Sequence, residues 1–424
     1  MLTGFNKSVG RFTFFLASSF FMFLGVNLSF FFFGELFFRS IRTFGQDVFK
    51  PDNKYKILAF FFVVGSIMST LGNLFSGHNT LFSNSLRVLP NYMYWGFILI
   101  LFITYGKRRV INQALLFKRI SQAVIVISVY YFLLQSIISD NFFFKKFGPN
   151  NYAFLLICFT PYVVYFFKKR YSFFFGVMML GALLSVQLIE QRRAGFILVL
   201  FGGLSTLFIE QIRISSFGTI FRLFLLGLFF IGLLQLPIIE NAIKDSSERI
   251  HSLIYEGSDA LKEDRSFLIR LAMVEKGASL FNKNPLFGVG LNNFTSVSTE
   301  LKGNFEGAEF VIHKKKLMRT SSHNSYINIM AEGGLFLLVP FLLIFVFFFI
   351  DSFRKFDQLS HFDRISVFSI TAMLVHFYFM NAVVNSLAWF NIAIALYAIR
   401  NPAYEFRKRI MQKKKSKELH INPV

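Results

Sequence analysis

The sequence predicts an all-α polytopic integral membrane protein with about twelve transmembrane helices and one large periplasmic loop between helices 9 and 10. Three observations carry that prediction. First, 54% of the 424 residues are hydrophobic, and they fall in repeated apolar runs of bilayer-spanning length, too many for a water-soluble chain of this size. Second, no run shows the period-two alternation of a membrane β-barrel, so helices are left as the way to satisfy backbone groups in lipid. Third, Lys and Arg are distributed as the positive-inside rule requires. The net charge of +22 therefore reads as membrane topology, and no nucleic-acid partner is expected. The single cysteine, Cys158, lies in an apolar run, so no intrachain disulfide and no Cys-based metal site is expected.

Taken in order, Lys7 and Arg11 precede an apolar run at 12–38, and Arg39, Arg42, Lys50, Lys54 and Lys56 follow it. Basic residues on both flanks require a hairpin of two short helices turning near residues 25–27. The run is too long for a signal peptide and lacks a small-x-small cleavage site. Further spans are expected at 57–75, 88–105, 120–138, 151–167, 172–189, 194–210, 219–239, 326–350, 365–381 and 383–400. With this count, 28 of the 45 Lys and Arg residues fall inside, and twelve of the remainder lie in the loop 240–324, where eleven acids offset them. Long loops are poor reporters of topology. The organisation is then transmembrane helices 1–9 in residues 1–239 and the large periplasmic loop with amphipathic helices in 240–324. Transmembrane helices 10–12 occupy 325–400, and a basic cytoplasmic tail occupies 401–424.

The outer loops are sparse in charge, with exceptions that point to chemistry. Arg192 and Arg193, in E-Q-R-R-A-G, sit at the outer mouth of helices 7 and 8, against the positive-inside rule. An ion pair with Glu190 is the plain alternative; anion binding at the outer face is the functional one. Within the large loop, Ile243, Ile250, Leu253 and Ile254 recur at helical spacing and suggest a surface-lying amphipathic helix. The next segment reads as a second helix, capped by Asp264 or Ser266 and ended by Asn284-Pro285. Arg265 and Arg270 lie near its start, where the helix dipole and a guanidinium fork both favour phosphate. Gly288 and Gly290 mark a tight turn, and Arg319 closes the basic run Lys314, Lys315, Lys316.

The stretch T-S-S-H-N-S-Y-I-N-I-M-A-E-G-G, residues 320–334, closes this polar segment and opens an apolar one. Ser321 or Ser322 is the expected N-cap, which places His323 in the first helical turn. The positive helix end there disfavours imidazolium, and a neutral imidazole at a membrane surface is a competent general base. An interfacial histidine without chemical role is the plain alternative. Asn324 adjoins it. Glu332, nine residues on, is out of phase with His323 on an ideal helix. His376 is an ionisable residue towards the outer end of helix 11, with a hydrogen bond to a neighbouring helix as its ordinary explanation. No DxD, Walker or HExxH motif occurs, so neither cofactor nor metal is expected.

Three separated segments together resemble the O-antigen ligase and O-antigen polymerase superfamily. R-R-A-G at 192–195 is similar to the family's S-R-x-G, with Arg193 in the arginine position and Arg192 replacing a small polar residue. R-L-A-M-V-E-K-G-A-S-L-F-N-K-N-P-L-F-G-V-G-L-N-N-F at 270–294 resembles the run that ends N-P-x-x-G-x-G-x-x-x-F, with Val274 where the family has tryptophan. S-H-N-S-Y-I-N-I-M-A-E-G-G at 322–334 is similar to H-N-x-x-L-x-x-x-x-E-x-G. The match covers roughly residues 190–350.

The resemblance implies a metal-independent membrane glycosyltransferase of the bacterial inner membrane. Such an enzyme takes a glycan from an undecaprenyl-diphosphate carrier at the periplasmic face and needs no nucleotide sugar. A ligase transfers it to lipid A–core, and a polymerase to a second lipid-linked glycan. In that reading His323 is the base, and Arg193 and Arg270 hold the diphosphate. Arg265 and Arg319 are further diphosphate candidates, with Arg192, Asn324 and His376 supporting them. Attack opposite the leaving group inverts the anomeric centre. Ligase is the first expectation and polymerase the second. A flippase of lipid-linked sugars is the alternative of another class, but it calls for two related halves, and none is seen. A reporter fused near Gly303 should be periplasmic and one after Lys415 cytoplasmic; a cytoplasmic Gly303 would put the arginines and His323 on the wrong side of the membrane for this chemistry.

Overall fold

The computed structural model describes residues 45–75, 79–108, 113–129, 149–189, 193–210, 265–299, 322–381 and 385–400, with the pairs 22–23 and 26–27 and a few single positions. Ten α-helices occur among these residues. They are α1 (Lys54–Phe75), α2 (Asn79–Arg108), α3 (Gln113–Val129), α4 (Pro149–Arg170), α5 (Phe173–Ile189), α6 (Arg193–Leu207), α7 (Arg265–Lys283), α8 (Ser325–Lys355), α9 (His361–Phe379) and α10 (Ser386–Arg400). Lys54–Leu74, Thr80–Thr104, Asn150–Arg170 and Ser325–Lys355 are long and apolar enough to cross a membrane, and Phe173–Gln187, Gly195–Leu207 and Leu387–Ile399 are shorter apolar helices. This is the build of a helical membrane protein.

Local chemistry sets the helix ends. Asn53 accepts the Tyr55 N–H at 2.7 Å at the start of α1. Ser360 and Asp363 form a reciprocal capping box on α9. Two spans differ from the hydropathy reading. Helix α2 begins at Asn79 rather than 88, because Asn84 and Ser85 in its first turns bond the loop at 291–296 and tolerate burial. Helix α3 begins at Gln113 rather than 120; its early turns bury Leu116, Phe117 and Ile120 while leaving Lys118 and Arg119 exposed. The expected N-terminal hairpin falls mostly outside the described residues. Met22–Phe23 does pair antiparallel with Val26–Asn27, which reverses the chain close to the expected turn. The expected span 219–239, the helix at 240–263 and the tail 401–424 lie outside the described residues.

Two helices organise the packing. Helix α4 touches α3, α5, α6, α9 and α10, while α8 touches α1, α7, α9 and α10. Between them sits an aromatic core in which Trp95 stacks on Trp389 at 5.5 Å, with Phe62 and Phe341 against Trp389. One end of the bundle is tied by Lys54 and Tyr55 to Asp351 and by Lys168 to Glu210. Short connections on either side of α5 return the chain, so α4 and α6 both start at the opposite end. That end also holds the start of α8 and the close of α9, since Ser325 Oγ donates to the Met380 carbonyl at 2.8 Å.

Helix α8 is broken at Gly334, whose φ of 57° and ψ of −160° lie in a region that essentially only glycine occupies. An added Cβ would run into the Leu286 carbonyl and the Gly288 nitrogen. Gly334→Ala should therefore lower stability by about 1–3 kcal/mol from backbone strain alone, read as a lower melting midpoint of the detergent-solubilised protein. Gly181→Ala, on α5 with open space at its Cβ, should be neutral or slightly stabilising. Equal behaviour of the two variants would mean that the break is not a structural requirement.

Candidate functional site

The site grows from α7. Its apolar face, Ile269, Ala272, Met273 and Leu280, packs with Val289, Phe294, Ile327 and Ala331. Gly277 faces Ile327 so closely that a Cβ would overlap its side chain, which holds α7 tightly against the first half of α8. As expected from Asn284-Pro285, the helix stops at Lys283, and Gly288 and Gly290 take positive φ values of 66° and 86°. The turn is fixed from several sides. Asn293 Nδ2 donates to the Leu81 and Val289 carbonyls at 2.8 and 3.1 Å, and Ser85 Oγ donates to the Leu291 carbonyl at 3.0 Å.

Glu332 completes that support. One carboxylate oxygen accepts the Phe294 N–H at 3.0 Å, and the other accepts Asn328 Nδ2 at 3.0 Å. Its role is to cap the turn.

The start of α8 corrects one expectation. The N-cap is Asn324, not Ser321 or Ser322; its side chain accepts the Tyr326 and Ile327 N–H groups at 2.9 and 3.0 Å. Ser322 is instead bonded to the Asn324 carbonyl at 2.8 Å. His323 precedes the cap in the left-handed region, with φ 48°, so it is outside the first helical turn. Its ring is half-buried, and its pKa lies below the ordinary histidine value. Burial is the larger cause and the Arg270 guanidinium the second. The neutral imidazole is thus favoured, as expected from the sequence, but by burial and Arg270 rather than by a place in the first helical turn.

Arg270, in the second turn of α7, is the shared neighbour of the site. Its charge acts on both His323 and His376. His376 is buried on α9 and stacks on Phe154 of α4 at 5.6 Å. Among the described residues neither ring nitrogen has a hydrogen-bond partner, so the bond to a neighbouring helix is not found there. Arg193 is the first residue of α6, and Arg265 the first of α7, which the backbone fixes without describing either side chain. Arg192 and Arg319 lie outside the described residues. The structure therefore puts His323 and His376 within the electrostatic reach of Arg270, assigns Asn324 to capping, and places the start of α6 at the same end of the bundle.

One buried cation was missed by sequence reasoning. Lys276 is 3% exposed, has no hydrogen-bond partner among the described residues, and lies over the Phe294 ring at 5.0 Å. Burial lowers its pKa to about 8. Its place on the packed face of α7, between Met273 and Leu280, was the available signal. Among the described residues, no group of three His, Cys, Asp or Glu side chains is placed to hold a metal ion.

Fold and site define a helical membrane protein with an arginine–histidine cluster at one end of its bundle. Residues 150–342 match the family model described as O-antigen ligase, a segment that runs from α4 into α8 and contains Arg193, all of α7 and His323. On this segment the chain is similar to the O-antigen ligase family. No curated protein matches it.

Glu332→Gln tests the scaffold. The amide would turn a donor towards the Phe294 N–H or the Asn328 amide, at a cost of about 1–3 kcal/mol. Hydrogen exchange at 292–294 should accelerate and the melting midpoint should fall. Unchanged protection there would show that Glu332 does not hold the turn.

Proposed function

We propose that the chain is a glycosyltransferase of the O-antigen ligase type. It moves a glycan from an undecaprenyl-diphosphate carrier to a hydroxyl of lipid A–core at the periplasmic face of the inner membrane. The observation that carries this reading is a half-buried histidine kept neutral beside Arg270, inside the segment that matches O-antigen ligase.

The chemistry follows from those groups. The acceptor oxygen attacks the anomeric carbon from the face opposite the diphosphate. As the new bond forms, the glycosidic carbon–oxygen bond to the diphosphate breaks and the electron pair leaves on phosphate oxygen. His323 takes the acceptor proton, a contribution of roughly 10²–10⁴-fold in rate. Arg270 and Arg193 stabilise the growing negative charge, with Arg265 and Arg319 as further contacts from α7 and the large loop. Preorganised arginines then supply the charge stabilisation that many transferases draw from a divalent cation, and the anomeric centre is inverted.

The test uses purified protein in nanodiscs with a lipid-diphosphate donor, measuring donor binding and turnover separately. His323→Ala should lose at least about 10²-fold in turnover while donor affinity stays, and His323→Lys should not rescue it, because a permanent cation cannot accept a proton. Arg270→Lys should weaken donor binding, since it keeps the charge but loses the fork. Because the imidazole pKa is depressed, the acid limb of the rate profile should lie below the ordinary histidine range. Full turnover by His323→Ala would place the base elsewhere.

A further inference from the structure

We infer that the end of α9 beside Arg270 carries a subsite for sugar hydroxyls, built from His376 and Asn381. The inference rests on the transferase reading and names what lies next to the diphosphate. His376 is only 7% exposed, yet among the described residues both of its ring nitrogens lack a hydrogen-bond partner. Five residues on, the buried Asn381 Oδ1 lacks one as well. A buried polar atom left unpaired costs about 1–3 kcal/mol, and such groups in native structures call for an explanation.

The surrounding groups do not supply the missing partners, because they are engaged with each other. Ser325 Oγ donates to the Met380 carbonyl at 2.8 Å, Tyr326 Oη donates to the Leu374 carbonyl at 2.8 Å, and the Met380 N–H donates to the His376 carbonyl at 3.0 Å. The imidazole is also held in place by its stack on Phe154. What remains unsatisfied among the described residues is a fixed ring on which the Arg270 charge acts and, just past the end of α9, an amide oxygen.

The pattern of unmet bonds selects the ligand chemistry. An amide oxygen only accepts, so its partner must donate, and a diphosphate stripped of its protons has nothing to donate. A neutral imidazole offers one donor and one acceptor. Hydroxyl groups meet both demands. The anion belongs at Arg270, and a polyhydroxylated group belongs at His376 and Asn381, which is the layout of a sugar joined to a phosphate. Two sugars meet that description, the donor glycan and the acceptor.

The experiment separates them. Wild-type protein in nanodiscs is titrated with bare undecaprenyl diphosphate and with the same lipid carrying a short glycan, and the acceptor KM is measured in turnover. His376→Phe keeps the stack and removes both nitrogens; Asn381→Leu removes the acceptor with little change in size. If the donor sugar is the ligand, each variant should weaken the glycan-bearing lipid by about tenfold, the size expected of one lost hydrogen bond left unpaired, and leave the bare lipid unchanged. If the acceptor is the ligand, donor affinities hold and the acceptor KM rises by a similar factor. Variants whose melting midpoint is retained but whose glycan affinity and acceptor KM stay within about twofold of wild type would overturn the subsite. Should one variant fail to fold, the other decides. Failure of wild-type protein to bind either lipid would instead overturn the transferase reading, and the subsite with it.

Discussion

The break in α8 at Gly334 is the constraint on which the site depends. A continuous helix would bond the Leu335 N–H to the Ala331 carbonyl and the Phe336 N–H to the Glu332 carbonyl. Both bonds are given up. Four backbone groups are thereby released beside an apolar bundle, where an unmet group costs several kcal/mol. The turn after α7 meets all four. Pro285 and Leu286 carbonyls accept from Leu335 and Phe336 at 2.8 and 3.2 Å, while Val289 and Gly290 N–H groups donate to Ala331 and Glu332 at 2.9 Å each. Ser69 Oγ of α1 adds a second donor to the Glu332 carbonyl at 2.7 Å. The loop is consequently an integral part of the helix it caps. Phe287 stacked on Phe336 at 5.1 Å seals the same joint from its apolar side.

This docking explains how a side chain from a long loop is aimed with precision. Arg270 is separated from His323 by more than fifty residues of chain, so loop entropy alone would leave their distance undefined. Instead α7 is gripped at two levels: Gly277 lies against Ile327 near its middle, and the turn at 285–290 plugs the α8 break at its end. Rigid elements hold functional groups better than loops do. The guanidinium is carried by a helix that is itself fixed to the helix His323 precedes. The glycines are required for closeness as much as for φ: Gly288 lies against the Ala331 and Glu332 backbone, where a side chain would hold the turn away.

Much of this was legible in the chain. Apolar length marked α1, α4 and α8, and Asn284-Pro285 with the paired glycines marked the end of α7 and the turn, because those signals are local. Two features were not. Asn324 and Ser322 are both good caps by residue type, and only the three-dimensional demand on Ser322, bonded to the Asn324 carbonyl, decides between them. Glu332 was measured against the wrong partner. Its distance from His323 along the helix was readable, but its carboxylate is used across 38 residues by Phe294. Hydropathy windows also cut α2 short, because Asn84 and Ser85 look like solvent-facing residues until the loop that they bond is in place.

A division between satisfied and unsatisfied polar groups separates scaffold from chemistry at this end of the bundle. Glu332, Asn328, Asn324, Asn293 and Ser322 all have partners, and each partner is part of the helix–loop joint. Among the described residues, neither ring nitrogen of His376 has a hydrogen-bond partner. A buried network that is fully paired rigidifies what it connects. Polar atoms left over beside such a network are not there to hold it together. Both histidines lie within the field of Arg270. The joint therefore does more than close a break in a helix: it fixes the helix that carries Arg270 against the helix that His323 precedes.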